Sequence, residues 1–152
     1  MYKIGIVGNG FVGSSVAFGF SPQCGVDDVE IKINDKDETK STHPLDEVVN
    51  TSDFIFVSVP TPSNKDGSIN LDIVYNVFRD MDRVNNRTDN VFLLRSTVTP
   101  GTTRKLQRKF KNLNIVFNPE FLTERSAKLD FINQARFILG GRKKDTKKVI
   151  GL

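Results

Sequence analysis

The sequence predicts an α/β domain: a doubly wound, mostly parallel sheet with helices on both faces. Three observations carry this. Short runs rich in β-branched and aromatic residues alternate with amphipathic helical patterns, and that alternation implies βαβ crossovers and a sheet covered on both sides. A glycine-rich hexapeptide, GNGFVG at residues 8–13, stands between one such run and one such pattern. The chain of 152 residues suits one domain, and no repeat, low-complexity tract or linker divides it, so residues 1–152 are read as a single unit.

Strand patterns cover residues 2–7, 29–33, 54–59, 91–94, 115–117 and 137–139. Helical patterns cover 11–20, with Val12, Val16 and Phe20 on one face, and 71–81, with Leu71, Val74, Phe78 and Met81 at stripe spacing. VEIKI (29–33) alternates polar and apolar residues as an edge strand would. FIFVSV (54–59) is almost continuously apolar and reads as central.

The composition is 38% hydrophobic and 26% charged, with no apolar stretch near the roughly 20 residues of a membrane span and no signal-peptide pattern at Met1-Tyr2-Lys3. A cytoplasmic protein without a membrane partner is expected. Cys24 is the sole cysteine; it excludes an internal disulfide and reads as an incidental loop thiol in SPQCGVDD. The net charge of +4 gathers in RKLQRKFK (104–111) and around 142–148. In the first run, Leu106 and Phe110 form an i, i+4 apolar pair. That leaves Arg104, Lys105, Arg108, Lys109 and Lys111 on the solvated side, and no interleaved aromatics offer a stacking platform. Neither a nucleic-acid partner nor a metal site is expected.

The glycine loop has the setting a dinucleotide requires, a strand before and a helix after. Gly8 permits the tight turn, Gly10 leaves room for a pyrophosphate, and Gly13 allows the helix to approach the strand. The backbone around Asn9, Phe11 and Val12 then offers free amides to the anion, assisted by the helix dipole. Asp35 follows the second strand, 22 positions after Gly13 and close to the ~20 expected for an acid on the adenosine ribose. It favours NAD over NADP, with Lys36 beside it as a partial offset for a 2′-phosphate. Asp35 also suits an ordinary strand-ending turn. The glycine loop and this acid together read as a Rossmann-type cofactor site.

Three more loops fall at strand exits, where open α/β sheets bind ligands. VPTPS (59–63) places Val59, Pro60 and Thr61 there, its prolines stiffening the exit. In RSTVTPGTT (95–103), Thr99 reads as a helix cap with Pro100 at the first helical position, while the hydroxyls of Ser96 and Thr97 are expected at the sheet edge. In FNPEFLTERS (117–126), Pro119 ends a strand and Glu120 and Glu124 lie four apart, on the same side if the segment is helical. Acids at a helix start are also favoured by its dipole alone.

GNGFVG, SVPTP, RSTVTPGTT and NPEFLTERSAKLDF…RFILGG occur in the order and spacing of the amino-terminal NAD-binding domain of the UDP-glucose/GDP-mannose 6-dehydrogenase family, which the chain resembles over nearly its whole length. Members oxidise the C6 alcohol of a sugar nucleotide to a carboxylate, reducing two NAD per turnover. The resemblance implies that Thr97 helps hold the catalytic water, Glu120 transfers protons or activates that water, and Glu124 lies near nicotinamide and substrate. Phe121, Leu122 and Thr123 correspond to the loop that contacts the sugar nucleotide. A carboxylate in such a cleft beside a second acid is expected to have a raised pKa.

Two departures bear on this. Only DETKSTHPLDEVVNTS separates the ribose acid from the third strand, so a helix and part of an edge strand read as trimmed. The family's nucleophilic cysteine and a supporting lysine belong to a later region, and Cys24 matches neither. The chain stops at KKVIGL, within what reads as a new helix. The expectation is therefore a cofactor domain that is incomplete alone and works with a missing catalytic domain or as a homo-oligomer. The alternatives are a free-standing NAD-binding module without catalysis, or a β-hydroxyacid dehydrogenase relative, which leaves NPEFL.E unexplained.

Overall fold

The computed structural model describes residues 1–152. Its elements run in order β1 (Tyr2–Val7), α1 (Phe11–Gly19), β2 (Val29–Asn34), α2 (Leu45–Thr51), β3 (Phe54–Val57), α3 (Asp72–Val84), β4 (Val91–Leu94), α4 (Thr102–Lys109), β5 (Ile115–Phe117), α5 (Ala127–Asn133), β6 (Gly140–Gly141) and α6 (Lys143–Ile150). Six strands form one sheet in the order β2-β1-β3-β4-β5-β6, parallel except for β6.

Strand alternation sorts the side chains into two cores. Val7, Ile55, Val57, Phe92, Leu94 and Ile115 face α2, α3 and α4, which contribute among others Val48, Phe78 and Leu106. Ile4, Ile6, Phe54, Phe56, Leu93 and Val116 face the other layer, with Val16 of α1 and Val149 of α6 against them. On α3 the stripe Val74, Phe78 and Met81 is fully buried, each side chain contributing roughly 1.5–3 kcal/mol by leaving water. The central β3 and β4 are buried at every residue, whereas β2 is half-buried throughout, as expected of an edge.

Several boundaries differ from the sequence expectation. The third strand ends at Val57 rather than residue 59: the Ser58 amide makes the last bond to β1, on the Val7 carbonyl, and Val59 bonds to the Ser96 side chain instead of a neighbouring strand. Residues 137–139 form no strand; pairing falls on Gly140 and Gly141, antiparallel to Val116 and Phe117. The short segment after β2 carries a helix that the periodicity did not disclose: α2 closes the crossover and packs Val48 and Val49 inward. Pro100 lies before α4 and Thr99 is not its cap. Gly101, left-handed at φ 89°, is the N-cap, and Thr99 accepts the Thr102 amide through its backbone carbonyl. In α4, Leu106 and Phe110 are buried and Arg104, Lys105, Arg108 and Lys109 exposed, as expected.

Candidate functional site

The strand order reverses between β1 and β3, and the exits of the parallel strands form one rim above that point. Gly8 sits there with φ 90°, and a Cβ on it would lie 2.0 Å from the Ser58 carbonyl oxygen. A Cβ on Gly13 would lie 1.9 Å from the Gly8 carbonyl oxygen, so only glycine lets α1 start this close to β1. Gly10 is the N-cap of α1; no side chain caps the helix, and nothing stands within 4 Å of a Cβ built on Gly10. The first turn carries no acid and ends on free amides at Phe11, Val12 and Gly13, a place suited to an anion.

Asp35 leaves β2 beside this loop. Its carboxylate accepts the Asn9 amide at 2.6 Å and the Asp37 amide at 2.8 Å, while the Asn9 side-chain amide donates to the Lys40 carbonyl at 3.0 Å. Next to Asp35 lies a surface cavity of about 490 Å³, lined among others by Lys36, Ser41, Thr42, His43 and Leu45. Its size, the acid at its mouth and the bare helix start nearby fit the adenosine end of a dinucleotide.

The third and fourth exits are clamped together. The Ser96 hydroxyl accepts the Val59 amide at 2.9 Å and donates to the Val59 carbonyl at 2.7 Å. Ser96 is buried, so the expectation of its hydroxyl projecting at the sheet edge is corrected: it is spent on holding the VPTP loop. Thr97, one residue on, is exposed at the rim; Pro60 is exposed and Thr61 half-buried on the neighbouring loop.

Beyond β5, Asn118 is buried and Glu120 half-buried. Residues 118–123 are not helical, so Glu120 and Glu124 do not share a helix face. Glu120 instead folds back to accept the Leu122 amide at 2.7 Å. Glu124 opens a 3-10 turn (Glu124–Ser126) and lines a groove of about 320 Å³ with Phe11, Ser14, Ser15 and Lys128, which brings it to the start of α1. Thr123 is fixed by Asp130, which accepts its amide and hydroxyl at 2.9 Å and the Ser126 hydroxyl at 2.9 Å. Those bonds hold the Asp130 carboxyl below the usual aspartate range. Phe121 is 67% exposed and Leu122 half-buried.

Residues 25–151 match the sequence profile of the UDP-glucose/GDP-mannose dehydrogenase family, NAD binding domain. The chain belongs to this family. It is 28% identical over 178 aligned residues to the UDP-glucose 6-dehydrogenase of Haloferax volcanii, covering 92% of this chain and 41% of that protein. Against the UDP-glucose 6-dehydrogenase of Campylobacter jejuni the identity is 29%, over 92% of this chain and 42% of the other. Among solved structures, a GDP-mannose dehydrogenase from Pseudomonas aeruginosa superposes with a TM-score of 0.80 over 97% of this chain and 42% of its own, at 24% identity, a likeness that shows the fold alone. The chain thus spans about two fifths of the length of these curated relatives. As the family's NAD-binding domain, it carries the Rossmann-type architecture read from the sequence.

Sequence reading missed Arg95, fully buried at the end of β4. It also missed Ser41, Thr42 and His43 around the Asp35 cavity. An arginine between LL and ST was a usable signal, since a charge at the end of a buried strand needs a reason.

Proposed function

We propose that this chain is the cofactor-binding part of a nucleotide-sugar 6-dehydrogenase, of the kind that oxidises UDP-glucose or a similar sugar nucleotide to the uronic acid. The observation that carries this is the bare, glycine-lined start of α1 with Asp35 hydrogen-bonded to the same loop. The amides of Phe11, Val12 and Gly13 would hold the diphosphate, Gly10 would leave it space, and Asp35 would accept from the adenosine ribose, which favours NAD over NADP. NAD, when bound, supplies the hydride acceptor. Val59, Pro60 and Thr61 with Thr97 would border the reactive ring, and Ser96 supports them from below through Val59.

Thr97 and Glu120 would orient a water and move its proton. Glu124, at the groove beside Phe11, would lie between cofactor and substrate, and Phe121, Leu122 and Thr123 would contact the sugar nucleotide. A nucleophile and most of the sugar-nucleotide site would come from a further domain or a second subunit. No helix here is long and apolar enough to cross a membrane. A cytoplasmic location is part of the proposal and rests on the NAD-dependent function read above, not on that absence.

Calorimetry on the 152-residue chain tests the cofactor assignment: NAD is expected to bind at least about tenfold more tightly than NADP, or about 1.4 kcal/mol. Equal affinities would overturn it. The isolated chain is expected to form no UDP-uronic acid.

A further inference from the structure

The strip from Ser41 to His43 runs along the open edge of β2 and is stitched to it. The amides of Thr42 and His43 both donate to the Ile33 carbonyl, at 2.9 and 3.1 Å. The Asn34 side-chain amide donates to the His43 carbonyl at 3.1 Å, and the Ser41 hydroxyl accepts the Asp35 amide at 2.8 Å and donates to the Asp35 carbonyl at 2.9 Å. These bonds hold Asp35 and His43 at a fixed separation. Both line the cavity of about 490 Å³, to whose wall Pro44 and Leu45 add carbon surface.

The bonds around Thr42 decide which ring nitrogen of His43 carries the proton. The Thr42 hydroxyl accepts the Ile33 amide at 2.9 Å and lies 2.7 Å from His43 Nδ1 and 3.4 Å from the Ile33 carbonyl oxygen. That carbonyl already takes two amides, one for each lone pair, so the hydroxyl proton goes to Nδ1. Nδ1 is then an acceptor, and the ring proton sits on Nε2. Nε2 has no acceptor in the protein: Glu47 Oε1 is 3.9 Å away, too far for a hydrogen bond, and takes the Lys32 ammonium at 2.9 Å. The imidazole thus brings one unspent N–H donor to the cavity, on a side chain that is one-third exposed.

We propose that His43 is the residue that recognises the base of the cofactor, donating from Nε2 to a ring nitrogen of adenine. The proposal rests on the reading of Asp35 as the ribose acid. Each Asp35 carboxylate oxygen takes one amide, from Asn9 or from Asp37, and keeps a lone pair for a ribose hydroxyl. A nucleoside held there has its base within the reach of the same cavity, where His43 is fixed by the strand that fixes Asp35. A purine answers a single N–H donor well, since its ring nitrogens are neutral acceptors on more than one edge. A 2′-phosphate does not, because it would bring its charge against the Asp35 carboxylate. Donor and acid together select an adenosine with unmodified ribose hydroxyls.

The test is calorimetry of NAD and of ADP-ribose on the 152-residue chain, compared among wild type, His43→Ala, His43→Gln and His43→Phe. His43→Ala is expected to weaken both ligands alike, by roughly three- to tenfold, the loss of one hydrogen bond. His43→Gln, whose amide keeps an N–H donor, should recover most of the affinity, and His43→Phe, which keeps only a planar ring, should not. NAD affinity unchanged within about twofold in folded His43→Ala would overturn the proposal. So would recovery by His43→Phe and not by His43→Gln, the mark of stacking alone. Should the variants not fold, nitrogen-15 NMR of the wild-type imidazole gives the same reading: saturation with ADP-ribose should move the Nε2 signal, and an unmoved signal would be fatal. A wild-type chain that binds no NAD would instead refute the cofactor assignment, and His43 with it, whereas NAD binding indifferent to position 43 would sink the His43 proposal alone.

Discussion

The Asp35 carboxylate accepts the backbone amide of Asn9 at 2.6 Å, so the acid assigned to the ribose also builds the loop assigned to the diphosphate. Asp35→Ala should therefore do more than erase a cofactor preference. NAD affinity should fall about tenfold or more, the NAD-over-NADP ratio should approach one, and amide exchange at Asn9 and Asp37 should accelerate. Calorimetry with hydrogen exchange checks this; a variant that loses the preference while leaving both amides protected would show that the loop stands without its acid.

The two glycines that flank the start of α1 should respond in opposite ways. Gly13→Ala puts a methyl 1.9 Å from the Gly8 carbonyl and is expected to destabilise by about 1–3 kcal/mol, read from urea unfolding. Gly10→Ala meets nothing within 4 Å, so stability should stay within about 0.5 kcal/mol while NAD affinity drops. Equal losses of stability in both variants would contradict the assignment of Gly10 to ligand space.

Ser96→Ala removes both bonds to Val59 and strands its amide in a half-buried place. A loss of about 1–3 kcal/mol is expected. Thr97→Val, at an exposed position, should leave stability within about 0.5 kcal/mol. If the two behave alike in thermal unfolding, the division into a clamp and a free rim hydroxyl is wrong.

Asp130 gives a pH dependence of defined sign. Its folded pKa is depressed below the ordinary 3.8 by the Thr123 amide, then by the Ser126 and Thr123 hydroxyls. The order it lends the 123–130 turn is thus complete above about pH 3.8 and is lost as pH falls through the lower folded value. Amide shifts of Thr123 followed by NMR should move in that acid window, and Asp130→Asn should abolish the transition.

What the sequence disclosed followed physical rules with little competition. FIFV could be read as a central strand because burial on both faces demands an unbroken apolar run, VFLL as a strand from its short apolar run, and the stripe of α3 because helical spacing leaves few alternatives. Gly8, Gly10 and Gly13 could be assigned because each meets a different steric demand. The antiparallel β6 could not, since Gly140 and Gly141 have no strand preference and pair only because β5 offers an open edge. The α4 start was misplaced because Thr99-Pro100 mimics a cap, whereas the left-handed Gly101 sets the boundary. Glu120 and Glu124 read as helical neighbours by spacing alone, but Glu120 satisfies the Leu122 amide in an extended turn. Ser96 and Arg95 depend on partners 37 and 23 positions away, which no local pattern encodes.

Gly19 and Phe131 meet so closely that a methyl at position 19 would lie 2.1 Å from the ring. The helix that begins under the glycine loop and the helix that follows Glu124 are thereby geared, with no slack for one to slide while the other stays. A bulkier residue at 19, far from both rims, would pry the crevice walls apart from behind.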